Sequence, residues 1–165
     1  MSSGAPASPG HAIQELCRAI AQNTSYDAFA PSYGAQQWEL FASYLQPYDL
    51  TVGQVLIDQG AHDRTLFFIE SGALSVHLIA ENGQMQLAIL NPGSVVGEGS
   101  FFSRLPRSAN VVATGACRVW RLTAIRFAAA TSASVMKFPC DTCTFLTDVY
   151  AETVPTTLVF VFVPR

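Results

Sequence analysis

Short runs of β-forming residues follow one another closely between residues 54 and 122, and turn residues rather than helical stretches separate them. Leu74, Val76 and Leu78 alternate with polar side chains, which is the period of a strand with one buried face. The Asn82-Gly83 pair ahead of the next run is typical of a tight hairpin turn. Because such strands pair with their sequence neighbours, they predict an antiparallel barrel or jelly roll. The predicted strands lie at 54–57, 66–70, 73–80, 84–90, 94–96, 108–113 and 117–122.

Helical patterns flank this β-rich region on both sides. Residues 11–22 and 36–46 each place apolar side chains on one face, and we expect both faces to dock on the core. Thr123 suits the N-cap of a third helix that continues to Phe138 and ends at Pro139. The predicted fold is therefore mainly β with flanking helices: a double-stranded β-helix (jelly-roll) barrel with N-terminal helices and a C-terminal helix.

The same patterns divide the chain into four segments. We predict a disordered lead-in at 1–10, an N-terminal helical segment at 11–46 and the barrel with its C-terminal helix at 47–138. The tail at 139–165 combines threonines and prolines with a run of β-formers, and its structure is not defined by the sequence. The lead-in has no basic region followed by an apolar one, so a cytoplasmic location is expected.

Composition and charge exclude several classes of protein. The net charge is −3 and no long basic run occurs, which argues against a broad nucleic-acid surface. No apolar stretch reaches the roughly 18 residues that a membrane span needs. Cys140 and Cys143 form a lone CxxC pair, and a zinc site would need two further ligands. The 3 histidines are too few for a metal-binding jelly-roll enzyme, and no nucleophile–base pair is recognisable, so neither a metal nor catalysis is expected.

The segment from Gly97 to Ala109 carries the clearest chemistry. Glu98 and Arg107 stand close together in sequence, with glycines on both sides of the carboxylate and a proline before the guanidinium. A carboxylate accepts hydrogen bonds from sugar hydroxyls, and an arginine fork fits a phosphate two-pronged. Small residues let a phosphate approach backbone N–H groups closely. The segment therefore suits the ribose and phosphate of a nucleotide, although an ordinary ion pair across a loop is the plainer alternative.

One helical turn at 99–105 is expected inside this segment, between two strands. Phe101 and Phe102 are predicted to anchor that turn to the core rather than to stack on a base. Arg104 is predicted to be a solvated charge.

Between roughly Tyr48 and Phe138 the sequence resembles the cyclic-nucleotide-binding domain, a family that includes the catabolite activator protein and protein kinase A regulatory subunits. The matching stretches occur in the family's order. They are Val52–Gly60, Leu66–Gly72, Leu90–Gly93, Gly97-Glu98 and Pro106–Ala109. The last two are similar to the family's phosphate-binding cassette in residue type and spacing.

The resemblance implies a role for each residue of the cassette. Glu98 would accept a hydrogen bond from the ribose 2′-hydroxyl, and Arg107 would pair with the exocyclic oxygens of the cyclic phosphate. Backbone N–H groups after Gly97 would complete the cradle, and an apolar wall would surround the base. The remaining implied contacts are Gly99 and Ser100 in the cradle, Ser108 and Ala109 on the phosphate side, and Leu87 and Val96 in the wall.

Arg107-Ser108-Ala109 is similar to bacterial activators that use cyclic AMP, whereas threonine in the serine position often accompanies cyclic GMP. We therefore favour cAMP over cGMP as the ligand. The sequence departs from the family at Gly99, where a larger apolar residue is usual, and after Phe138, where no long lid helix is recognisable. It also carries no helix-turn-helix, kinase or channel segment.

The sequence thus predicts a cyclic-nucleotide sensor that is not an enzyme. Its output would pass to an effector protein or to a second copy in a homodimer, through Phe127, Val135, Met136 and Phe138. One alternative is a degenerate module that keeps the β-roll for protein interaction and binds no nucleotide. A cupin-like enzyme is the other.

Overall fold

The computed structural model describes residues 13–25, 28–29 and 31–132, with only the backbone given at 131 and 132. Four helices and eight strands make up this part of the chain. The helices are α1 (Gln14–Gln22), α2 (Ala35–Tyr44), α3 (Glu98–Ser103) and α4 (Ala124–Ser132). The strands are β1 (Gln46–Leu50), β2 (Val55–Ile57), β3 (Thr65–Ser71), β4 (Leu74–Ala80), β5 (Gly83–Leu90), β6 (Val95–Val96), β7 (Asn110–Ala113) and β8 (Cys117–Thr123).

The strands form two four-stranded antiparallel sheets, in the orders β1-β8-β3-β6 and β2-β7-β4-β5. The predicted mainly β fold with flanking helices is confirmed at this level. No hydrogen-bonded ladder joins one sheet to the other in the described residues, so the jelly-roll barrel stays a prediction. The strands at three of the four edges are short or irregular: β6 has two residues, β2 has three and β5 contains a bulge opposite Val76 and His77.

Strand β3 connects the two layers of the core because both of its faces are buried. Leu66 and Phe68 face a cluster that also holds buried residues of all four helices and β8. Phe67 and Ile69 face a second cluster built from both sheets. This double burial explains why β3 reads as a continuous apolar run rather than an alternating one.

Both N-terminal helices dock on the core as predicted. Leu16 and Ile20 of α1 and Phe41 of α2 are buried, and the Phe41 ring meets Phe68 edge-on with 5.4 Å between centroids. Helix α2 ends at Tyr44, two residues earlier than expected, and the following residues form β1, a strand that was not predicted. The residue before a proline avoids helical geometry, so Pro47 forces extended backbone at Gln46, and β1 lies at a sheet edge where proline is tolerated.

Several predictions fall outside the described residues: the lead-in at 1–10, the stretch from 133 to Phe138, the Cys140–Cys143 pair and the tail at 139–165. Within the described residues, Thr123 caps α4 as expected. Its hydroxyl accepts a hydrogen bond from the Arg126 backbone N–H at 3.4 Å. The division of the chain at 46/47 stays a prediction. None of the helices in the described ranges is long and apolar enough to cross a bilayer.

Candidate ligand-binding site

Helix α3 is a six-residue helix bounded at both ends by left-handed backbone. Gly97 precedes it with φ of +94° and Arg104 follows it with φ of +62°. A left-handed conformation is easy for glycine but costs a residue with a Cβ on the order of 1 kcal/mol. Phe101 is 1% exposed and its ring contacts Phe102 and Phe127, so the expected anchoring of this turn to the core is confirmed. Arg104 is exposed, as predicted.

Arg107 lies inside the protein with its guanidinium almost fully bonded. Its side chain is 2% exposed. Nε donates to Asp63 Oδ2 at 3.0 Å and Nη2 donates to Asp63 Oδ1 at 2.5 Å, which makes a two-pronged ion pair. Nη2 also donates to the Thr65 carbonyl at 2.6 Å, and Nη1 donates to the Gly97 carbonyl at 2.9 Å. Four of the five guanidinium N–H groups are therefore used within the protein.

The loop before β3 is fastened to Arg107 through the backbone as well. The Arg107 N–H donates to the Ala61 carbonyl and the Gly60 N–H donates to the Arg107 carbonyl, both at 2.8 Å. These bonds bring Asp63 beside the guanidinium. Strand β7 starts at Asn110 rather than at the predicted Ser108.

The ion pair changes the acidity of Asp63. Hydrogen bonding from Arg107 lowers the pKa of the Asp63 carboxyl below its ordinary value of 3.8. A carboxylate with a depressed pKa contributes stability above its unfolded-state pKa. That contribution is therefore present at neutral pH and is lost as the pH falls through the lowered value.

Gly97 is required by the packing of the guanidinium. A Cβ built on Gly97 would lie 2.6 Å from Arg107 Nη1 and 2.8 Å from the Thr65 carbonyl oxygen. The sequence suggested that small residues here make room for a phosphate, and the structure adds that Gly97 makes room for Arg107. At Gly99, by contrast, a Cβ would meet nothing within 4 Å.

The other predicted site residues lie at varied depths. Glu98 is half-buried in the first turn of α3, and Gly99 follows it there. Ser100 is buried, and its hydroxyl is the one buried side-chain polar atom of the described residues with no hydrogen-bond partner. Ser108 is exposed and Ala109 is buried.

The two apolar wall candidates differ more sharply. Val96 is 9% exposed and belongs to the cluster between the sheets. Leu87 is 43% exposed and lies at the bulge of β5. A role for either residue beside a base stays a prediction.

Asp63 and Thr65 are the residues that sequence reasoning missed. Asp63 lies in the loop between β2 and β3, 44 positions before Arg107 in the sequence. No spacing or motif joins the two positions, since a tertiary hydrogen bond leaves no local pattern. Glu98 is not among the bonded partners of Arg107, so the plain Glu98–Arg107 ion pair is not what this segment forms.

Comparison with known families decides the class. Residues 49–134 match the model of the cyclic nucleotide-binding domain, a span of just over half of the chain that contains α3, Asp63 and Arg107. The chain belongs to this family. The resemblance inferred from the cassette is thereby confirmed.

Named relatives of this cyclic nucleotide-binding domain are larger proteins. Acetyltransferase Pat of Mycolicibacterium smegmatis is 41% identical over 76 residues, covering 46% of this chain and 22% of its own. The cAMP-activated global transcriptional regulator CRP of Salmonella typhimurium is 35% identical over 91 residues, covering 54% and 43%. The cAMP-dependent protein kinase type II regulatory subunit of Drosophila melanogaster is 33% identical over 63 residues, covering 38% and 17%. The chain spans less than half the length of each.

Solved structures share the fold. A cyclic nucleotide-binding domain from Methylobacillus flagellatus superimposes with a TM-score of 0.67 at 17% identity, over 85% of this chain and 75% of that one. The regulatory domain of Toxoplasma gondii PKA, crystallised with cAMP, gives a TM-score of 0.61 at 23% identity, over 72% and 44%.

Proposed function

We propose that this domain is a regulatory module that binds a cyclic nucleotide, with cAMP as the preferred ligand. The observation that carries the proposal is the buried Arg107 held against Gly97 at the start of α3, within the stretch that matches the family. The names of the regulatory subunit and of the transcriptional regulator, both tied to cAMP, support the choice of ligand. The Arg107-Ser108-Ala109 sequence supports the same choice.

Different residues of the segment are assigned to different parts of the ligand. Glu98 accepts a hydrogen bond from the ribose 2′-hydroxyl, and Arg107 binds the phosphate through the Nη1 N–H that the protein leaves unused. The N–H groups of Gly99 and Ser100 lie in the first turn of α3, where backbone donors have no acceptor within the helix. They complete the phosphate cradle.

Titration calorimetry with cAMP, cGMP and 5′-AMP tests this function. We expect the wild type to bind cAMP more tightly than cGMP and to bind the open phosphate of 5′-AMP least. Arg107→Ala should weaken cAMP binding by more than about 1.5 kcal/mol, because a charged hydrogen-bond donor is lost. Glu98→Gln should also weaken it, because a neutral amide oxygen accepts a hydrogen bond less strongly than a carboxylate.

Arg18→Ala is the matched control, because Arg18 is exposed on α1 and, among the residues that the structure describes, pairs only with Glu15 of the same helix. It should bind cAMP as the wild type does. A thermal melt of each variant separates loss of binding from loss of fold. A folded wild type that gives no heat with either cyclic nucleotide would contradict the proposal.

Regulation forms the second part of the proposal. Phe127 of α4 meets Phe101 and Phe102 of α3 edge-on, with centroids 5.2 and 6.0 Å apart. A ligand that draws α3 inward would move α4 through this contact and pass the signal to an effector protein or a second copy. The module would itself catalyse no reaction. Its cytoplasmic location and the completion of the two sheets into a jelly roll stay predictions.

A degenerate interaction module is the second candidate, and one observation favours it. Arg107 is already satisfied by Asp63, Thr65 and Gly97, as expected of an arginine that has become structural. The same titration distinguishes the two candidates, since this one predicts no nucleotide heat from a stably folded protein. A cupin-like enzyme has less support, because no group of three or more metal-ligand side chains lies together in the ranges that the structure describes.

A further inference from the structure

Two arginines meet at the C-terminal end of α3. Arg64, in the loop before β3, donates from Nε to the Phe101 carbonyl at 2.9 Å, and its Cζ lies 5.9 Å from the centroid of the Phe101 ring. Arg104 ends the helix, and its backbone N–H donates to the Ser100 carbonyl at 3.1 Å. Burial, and then the charge of Arg104, lower the pKa of the Arg64 guanidinium below its ordinary value, which is the effect of two cations held close together.

Neither of these guanidiniums has a carboxylate partner among the residues that the structure describes. Asp63 precedes Arg64 in the sequence, but its carboxylate is bonded to Arg107 instead. Arg64 uses its Nε within the protein and keeps both Nη groups for another acceptor. Two cations without a counter-ion repel each other, and an anion that binds both relieves the repulsion.

The backbone at Arg104 shows that the fold alone does not favour arginine there. Arg104 has φ of +62° and is the one residue other than glycine, in the described part of the chain, with a positive φ. Glycine is the usual residue at such a helix end, because a Cβ is strained in left-handed backbone. Backbone strain of this kind occurs where a side chain is needed for a function.

The surroundings of Arg104 favour a peptide over a free ion or a nucleic acid. Leu105 follows it and is 50% exposed, so an apolar side chain borders the two charges. Two cations in a chain of net charge −3 are too few to hold a nucleic-acid backbone. An acidic peptide is opposed by the negative charge of the rest of the chain and attracted by these two guanidiniums, which directs it to this place.

We propose that Arg64, Arg104 and Leu105 form a docking site for an acidic segment of a partner protein. Carboxylates of that segment bind the two guanidiniums, and an apolar side chain beside them covers Leu105. The site lies at the opposite end of α3 from Gly97. It goes beyond the nucleotide binding proposed above and does not require it.

Fluorescence anisotropy without nucleotide tests the site, with a labelled peptide of alternating glutamate and leucine as the probe. The wild type should bind this peptide and should not bind one with lysine in place of glutamate. The affinity should fall as salt is added, because exposed charges are screened. Arg64→Gln and Arg104→Gly should each weaken binding by about threefold to fivefold, as the loss of an exposed ion pair does.

The stability of Arg104→Gly separates docking from a structural role. Its thermal midpoint should be higher than that of the wild type, because glycine adopts left-handed backbone without strain. A more stable protein that binds the peptide more weakly is expected only if the arginine serves the partner. A lower midpoint with unchanged affinity would overturn the proposal.

Arg18→Ala is the control for charge, since it removes an exposed guanidinium from α1. Its affinity for the acidic peptide should equal that of the wild type. Equal losses in Arg18→Ala and Arg104→Gly would show a general charge effect and overturn the site. Complete displacement of the peptide by an equal concentration of inorganic phosphate would show a simple anion site and overturn peptide docking.

The arginine Nε–Hε resonances of the wild type provide a test that needs no variant. Titration with the acidic peptide should shift the signals of Arg64 and Arg104 and leave that of Arg18 in place. Unchanged signals at both positions, or no binding of the peptide by the folded wild type, would overturn the proposal. Because nucleotide is absent from every measurement, neither result bears on the proposed binding of cAMP.

Discussion

Gly97 and Gly99 flank Glu98, but only Gly99 has space around it for an added side chain. Gly97 has φ of +94° and lies against the Arg107 guanidinium and the Thr65 carbonyl, so an added Cβ meets both strain and a clash. Gly97→Ala should lower the free energy of unfolding by roughly 1–3 kcal/mol. Gly99→Ala should leave it unchanged or raise it by up to about 1 kcal/mol, because alanine favours the helix and open space receives its Cβ.

Urea denaturation of the two alanine variants measures this difference. The same substitution is made two residues apart in one segment, so each variant serves as the control for the other. Equal free energies of unfolding would mean that Arg107 does not rest on Gly97 in solution. A stabilised Gly97→Ala would contradict the left-handed backbone there as well.

At the same scale, the sequence identified the cassette residues but not the partner of the cassette arginine. Gly97, Glu98 and Arg107 lie within one short segment, so their types and order carry information that can be read directly. Asp63 lies beside Arg107 in a loop whose residues 60 and 61 bond to the Arg107 backbone. A contact made by tertiary folding is invisible to motif and spacing, and this one occupies guanidinium donors that the sequence assigned to a ligand.

At the scale of elements, the contact between α3 and α4 predicts a coupled response to the ligand. Phe127 joins the two helices through its edge-on contacts with Phe101 and Phe102. In the wild type, cAMP should slow amide hydrogen exchange across both 98–103 and 124–132. In Phe127→Ala the protection should persist in α3 and be reduced in α4, because the packing that links them is removed.

Ile125→Ala is the control for this experiment, since Ile125 lies on the same helix and is 85% exposed. It should reproduce the wild-type exchange pattern. Protection of α4 that survives in Phe127→Ala would show that the signal reaches the helix by another route.

Elements with strong local signals were predicted well, and those shaped by neighbours were not. The hairpin between β4 and β5 lies within one residue of expectation, and its two-residue turn is Glu81-Asn82, with Gly83 already paired to Ala80. Strand β1 was missed because its sequence has no alternating apolar pattern and follows a helix directly. It is extended because Pro47 prevents helix at Gln46 and because β8 supplies a pairing partner.

At the scale of the whole molecule, the two core clusters tie the N-terminal helices to the sheets. Buried residues of α1 and α2 share one cluster with β3, β8, α3 and α4, and the opposite face of β3 lies in the second cluster. No separate core belongs to the helices among the described residues. We therefore expect the segments at 11–46 and 47–138 to unfold together rather than as two units.

The chain's 2 tryptophans allow this expectation to be tested directly. Trp38 lies on α2, and Trp120 lies on β8, where its indole N–H donates to Glu70. Trp38→Phe leaves a reporter in the sheet and Trp120→Phe leaves one in the helices. Within each variant, urea unfolding followed by fluorescence and by far-ultraviolet circular dichroism should give one shared midpoint, because every element depends on the same buried residues. The comparison is made inside each variant, so the stability lost with either indole does not affect it. A Trp38 transition at lower urea than the circular dichroism would show that the helices detach first and would contradict a single cooperative core.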